Sequence, residues 1–164
     1  MGTLVKYWRR RRSARTIAYA LSGLSLIILP IKVFSMAKMC LFSEVRGEVV
    51  LYGKPVVGAA IEREIFWLWK NERIKDSTIT SEKGEFLLPA VIRSSILGSL
   101  LPHEPVIEQR IVITVGGTRY QGWGHIKSNY EINGETNGAP ISLSCDIASD
   151  PIKRGKVFGM CKLR

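Results

Sequence analysis

Beyond Phe42 the chain is cut into short β-prone runs by glycine and proline at fairly regular intervals, a pattern that points to an all-β domain. "SEVRGEVVLYG" reads as a strand with Val45, Val49 and Leu51 on one face. "GKP" turns the chain and "VVGAAIEREIFWLW" returns it. "DSTITSEKGEFLLPA" reads as strand, turn and strand, with the glycine of "SEKG" free to take positive φ and Pro89 closing the second strand. "PVIEQRIVITVGG" alternates Ile107, Ile111, Ile113 and Val115 against Glu108, Arg110 and Thr114, and its two glycines predict a hairpin into "TRYQGWGHI". A polar, Asn- and Gly-rich loop, "KSNYEINGETNGAP", leads to a last strand, "ISLSCDI". One segment breaks the pattern. Val91, Ile92, Ile96, Leu97, Leu100 and Leu101 recur closer to a period of 3.6 than of 2, which predicts one short helix over 91–101, ended by Pro102.

Charge is distributed unevenly. The net +10 of the 164 residues resembles a nucleic-acid signature, yet Lys6, Arg9, Arg10, Arg11, Arg12 and Arg15 supply six positive charges in the first 15 residues, where there is no acid. Residues 39–150 carry 11 basic and 14 acidic side chains, and the tail after Pro151 carries five basic ones and no acid. The arginines precede a charge-free run of 16 residues, Thr16 to Ile31, followed after Lys32 by "VFSMA". Such an order is a membrane-directed segment, and it makes the arginines a topology signal; no nucleic-acid partner is expected. A helix over 16–37 reaches across a bilayer if Lys32 snorkels to the far interface, giving a signal anchor. Ser35 and Ala37 also stand at the −3 and −1 positions of a signal-peptide cleavage site, so secretion after cleavage at Ala37 stays open beside the anchor. On both readings the positive-inside bias keeps 1–15 cytoplasmic and sends the β-domain, 40–150, and the basic tail, 151–164, across a bacterial inner membrane to the periplasm.

The stretches "VRGEVVLYGKPVVGAAI" and "STITSEKGEFLLPAV" resemble the opening of the carboxypeptidase regulatory-like domains. That resemblance, over about 50 residues, implies an Ig-like, transthyretin-like β-sandwich of seven or so strands. Those domains are accessories to a separate catalytic domain, and none is visible here. "FWLWK", "FLLPAVIRSSILGSLLPHEPVIEQRIVI", "YQGWGHIKSNYEINGE" and "PISLSCDI" resemble, across nearly the whole exported part, an uncharacterised family of small bacterial exported domains of unknown function. It brings no catalytic residues with it.

The residues themselves offer little chemistry. The two histidines, His103 and His125, lack a second ligand at metal spacing, so neither a metal nor a cofactor is expected, and both read as turn or surface residues. There is no Gly-x-Ser-x-Gly elbow and no phosphate-binding loop. Glu62 and Glu64, two apart on one strand face, suit a salt-bridge ladder better than acid–base work. No catalytic residue is assigned. Cys40, Cys145 and Cys161 allow three pairings, and an oxidising compartment calls for one bond and one free thiol. Cys40 with Cys145 closes the ends of the sandwich; Cys145 with Cys161 tethers the tail, and is preferred because an aperiodic tail carrying a cysteine needs a reason to be held.

"FWLW", Phe66 to Trp69, poses the main question for binding. In a strand Ile61, Ile65, Trp67 and Trp69 share one face and Glu62, Glu64, Phe66 and Leu68 the other, so the second face turns from charged to apolar. The expectation is that the 91–101 helix covers Phe66 and Leu68. Trp69, Trp123 and Tyr120 are the candidates for an exposed partner-binding patch, with Trp69, at the strand end, the most exposed. Three functions fit these features: a membrane-tethered, non-catalytic interaction module; an immunity or accessory protein for a secreted toxin; or a small hydrolase of envelope polymer.

Overall fold

The computed structural model describes residues 37–95, 103–155 and 157–164. The membrane-directed segment lies outside them except for its last residue. Among the described residues no helix is long and apolar enough to cross a membrane. They form thirteen strands: β1 Ala37–Phe42, β2 Val45–Leu51, β3 Lys54–Pro55, β4 Ala60–Trp67, β5 Glu72–Ile79, β6 Glu85–Leu88, β7 Val91–Ser95, β8 Ile107–Val115, β9 Thr118–Lys127, β10 Ile141–Asp146, β11 Ile152–Arg154, β12 Val157–Gly159 and β13 Cys161–Leu163.

Three sheets contribute to one core, two large ones and the two-stranded pair β1-β7. The six-stranded sheet runs β11-β12-β9-β8-β4-β5, and the five-stranded sheet runs β13-β10-β2-β3 with β6 also on β2. Val45, Val49, Leu143 and Cys145 from the smaller sheet join Ile61, Ile65, Ile111, Ile113 and Trp123 from the larger in one hydrophobic cluster. This sandwich-like arrangement follows from the alternation in the strands: β4 buries Ile61, Arg63, Ile65 and Trp67 and turns Glu62, Glu64 and Phe66 outward. The predicted hairpin between β8 and β9 is present, with Gly116 and Gly117 at φ 55° and 82°, a pair that only residues tolerant of positive φ can supply. Gly84, at φ 73°, turns β5 into β6 as expected.

The structure corrects four expectations. The helix over 91–101 is not formed at its start: residues 91–95 are β7, antiparallel to β1, and residues 96–101 lie outside the described residues. Pairing with β1 outweighs an apolar period that rested mainly on the later residues. Neither Phe66 nor Leu68 is buried as expected. Phe66 is half-buried beneath the Arg73 guanidinium, 4.3 Å from its ring, and Leu68 is 53% exposed. Strand pairing in β4 ends at Trp67, and a single 3-10 turn, Leu68–Lys70, closed by Asn71 at φ 50°, lifts Trp69 off the strand face. The domain also begins earlier and ends later than 40–150. β1 starts at Ala37 and buries Met39, Leu41 and Phe42, while β11, β12 and β13 place the basic tail in both large sheets.

Candidate functional site

The three partner-binding candidates do not share a surface. Trp123, on β9, is fully enclosed, tilted against Phe42 at 5.6 Å and stacked on His125. It belongs to the core, because the inward alternation of β9 carries Trp123, His125 and Lys127 together. Tyr120 is half-buried on the same strand opposite Ile113, which faces Ile61 near the start of β4, whereas Trp69 follows the other end of β4. Register therefore separates Tyr120 from Trp69 by most of the sheet's length. Trp69 is half-buried, lying flat on His103 with ring centroids 4.1 Å apart. Lys70 Nζ stands 4.2 Å from its ring. Behind it, Tyr130 Oη accepts from Trp67 Nε1 at 3.0 Å and lies 2.7 Å from His103 Nε2. Burial pushes the Tyr130 phenol up, an effect the Trp67 hydrogen bond opposes in part.

His103 stacks on Trp69, whereas His125, expected at a turn or the surface, is instead buried within β9 because the inward alternation of that strand stacks it on Trp123; no group of metal-ligating side chains is found among the described residues. Glu62 and Glu64 form the expected ladder, with Arg119 at 2.8 Å and Lys75 at 2.6 Å respectively. The Lys75 hydrogen bond is the main reason the Glu64 carboxyl sits below its ordinary range. Cys145 and Cys161 are joined, tying β10 to β13, and Cys40 is free and buried.

Two features lie outside what the sequence pattern shows. The first is the tip of the β2–β3 hairpin. Tyr52 and Gly53 are its two loop residues at φ 51° and 75°, a pair of left-handed positions that ordinarily go to Asn, Asp or Gly. Tyr52 is 81% exposed, so its ring gains no packing from the chain; its neighbour Leu51 is exposed, and so is Val57, which follows β3. "LYGKP" shows the turn but not the φ at Tyr52.

The second is a buried polar cluster. Glu135, from the Asn- and Gly-rich loop, and Lys127, from the end of β9, are both fully enclosed and lie 3.0 Å apart. The Glu135 carboxylate also accepts from Ser43 Oγ at 2.7 Å, Ser43 N at 3.1 Å and Gln109 Nε2 at 2.8 Å. Gln109 Nε2 donates its other hydrogen to Leu41 O at 2.7 Å, and Lys127 Nζ donates to Glu131 O at 2.6 Å. Burial alone raises a carboxyl; here the donors Gln109 and Ser43 and the Lys127 charge outweigh it and hold Glu135 below its ordinary range. The cluster pins the 128–139 loop over the link between β1 and β2. Alternation marks Gln109 and Lys127 as inward, but nothing in the sequence places Glu135, since a loop carboxylate is ordinarily solvated.

The model of one protein family, described as Domain of unknown function (DUF6795), matches residues 45–150, well over half of the chain. The chain belongs to this family. The DUF6795 match starts with β2 and ends before β11, so it spans the aromatic cluster, the Tyr52 tip, and Gln109, Lys127 and Glu135, while Ser43 lies just ahead of it. No curated protein and no solved structure matches the chain.

Proposed function

We propose that this chain is a non-catalytic interaction module, anchored by residues 16–37 in a bacterial inner membrane with its β-domain on the periplasmic side, where it engages a protein partner through the β2–β3 tip. The observation that carries the reading is Tyr52. A left-handed conformation costs a bulky residue about 1–2 kcal/mol, and an 81%-exposed ring recovers none of it within the chain. A large aromatic held out at such a position, next to exposed Leu51, suits a hot spot for another protein. The Cys145–Cys161 bond supports an oxidising compartment. The resemblance to carboxypeptidase regulatory-like domains, accessories without an active site of their own, supports a non-catalytic role.

The test is photo-crosslinking in membranes, with the full-length chain carrying the probe at Val57. A discrete adduct from the native chain that disappears in Tyr52→Asn, while the melting temperature holds or rises, is the expected result. Asn tolerates the left-handed region better than Tyr, so loss of the adduct cannot be put down to unfolding. An adduct equally strong in Tyr52→Asn, or none from the native chain, overturns the assignment of the tip.

A further inference from the structure

Lys127 Nζ and Gln109 Nε2 rest on the two oxygens of one carboxylate: Glu135 Oε2 is 3.0 Å from the amine and Oε1 is 2.8 Å from the carboxamide nitrogen. We propose that Lys127 and Gln109 become joined by an intramolecular isopeptide bond, formed without any other enzyme, with Glu135 as the proton carrier.

Register brings the pair within reach. Ile107 pairs with Lys127 and Gln109 with His125, so Gln109 and Lys127 are diagonal neighbours on the inner face of the β8–β9 hairpin. Such neighbours lie about 7–8 Å apart at the backbone, within the span of two long side chains. Gln109, Lys127 and Glu135 are all buried, which keeps water from competing for the carboxamide carbon. Both Nε2 hydrogens are engaged, by Leu41 O and Glu135, and this fixes the plane of the carboxamide.

The step balances within the cluster. Lys127 passes its ammonium proton to the Glu135 carboxylate, and the neutral Nζ attacks Gln109 Cδ. The Cδ–Nζ bond forms, Nζ gives up a second proton, the Cδ–Nε2 bond breaks, and Nε2 leaves as ammonia after taking a proton through Glu135. The product is a secondary amide with a neutral Glu135 carboxyl and one free ammonia; neither oxidant nor cofactor is required. A buried ion pair, costly to desolvate, is replaced by neutral groups. The outcome is a covalent brace across the β8–β9 hairpin, separate from the disulfide in the other sheet.

Peptide mapping of the purified full-length protein under reducing conditions tests this. The expected result is a branched peptide linking Gln109 to Lys127, no tryptic cleavage after Lys127, and a mass lower than the sequence by one ammonia. Asn133-Gly134 and Asn137-Gly138 can also lose ammonia as cyclic imides, so the branched peptide decides. In Lys127→Arg and Glu135→Ala the branched peptide should be absent. Because the native chain alone is decisive, a poorly folded variant does not blunt the test. Linear peptides with intact Gln109 and Lys127 overturn the proposal, and so does a link from Lys127 to Glu135 with loss of water.

Discussion

Arg63 of β4 reaches across to Asp76 of β5 through two of its nitrogens, Nε at 2.8 Å and Nη2 closer still, while its guanidinium is enclosed between Phe42 and the Pro89 carbonyl. Asp76 opposes Arg63 in the β4–β5 register, so the pair fastens an edge strand to the sheet. Asp76→Ala leaves a buried cation without its partner, and a loss of about 3 kcal/mol is expected. Replacing both, as Arg63→Leu with Asp76→Ala, should recover much of that loss. Urea titrations of the two variants beside the native chain check it, and equal losses in single and double variants would refute it.

Trp67 and Leu68 are adjacent but differ sharply, 2% against 53% exposed. Trp67→Ala should cost about 3–5 kcal/mol, whereas Leu68→Ala should stay within about 0.5 kcal/mol of the native chain. Denaturant midpoints measured side by side distinguish them; a large effect at Leu68 would mean that something covers it.

Reducing the Cys145–Cys161 bond, which lies across a sequence separation of 16, should lower stability by about 3 kcal/mol in the chain-entropy account. The intact protein should react with a thiol probe at Cys40 only, and only once unfolded, because Cys40 is buried. Two or three reactive thiols in protein extracted from cells without reductant would contradict the bond and the oxidising compartment proposed for it.

The Tyr130 phenol is raised above its ordinary value of 10.0 because folding buries it. The folded state then holds its proton at a pH where the unfolded chain has released it. Stability from this group is therefore complete below pH 10.0 and declines as pH rises from there through the folded value. Thermal melts across that range should fall more steeply for the native chain than for Tyr130→Phe. Identical slopes would remove Tyr130 as the cause.

Membrane anchoring has its own measurement. Intact mass of membrane-extracted protein should include residues 1–37, and a reporter fused after Arg164 should be active only outside the cytoplasm. A mature N-terminus at Lys38 means cleavage instead, and cytoplasmic activity reverses the topology.

The local alternation of β4, β8 and β9 is legible in the sequence because each has one buried face, and the Cys145–Cys161 pairing agrees with the preferred reading. What stays hidden there depends on partners distant in sequence. β7 is a strand because β1 lies beside it, and the period of "VIRSSILGSLL" carries no trace of β1. Trp123 reads as a surface aromatic although it shares the inward alternation of Lys127, since aromatics suit both cores and interfaces. Glu135 reads as part of a polar loop. Only the convergence of Ser43, Gln109 and Lys127 from three other places in the chain offsets the cost of its burial.

The parallel pairing of β2 with β10 bears on when the chain can fold. Val45 meets Ile141, and β10 sits between β2 and β13, so the smaller sheet has to wait for residues 141–163. The larger sheet also draws β11 and β12 from beyond residue 150. Non-local closures of this kind form slowly, and they place completion of both sheets after nearly all of the chain has left the ribosome. During synthesis the nascent domain then lacks the strands that would lock it, and β2 keeps an open edge until β10 has emerged to pair with it.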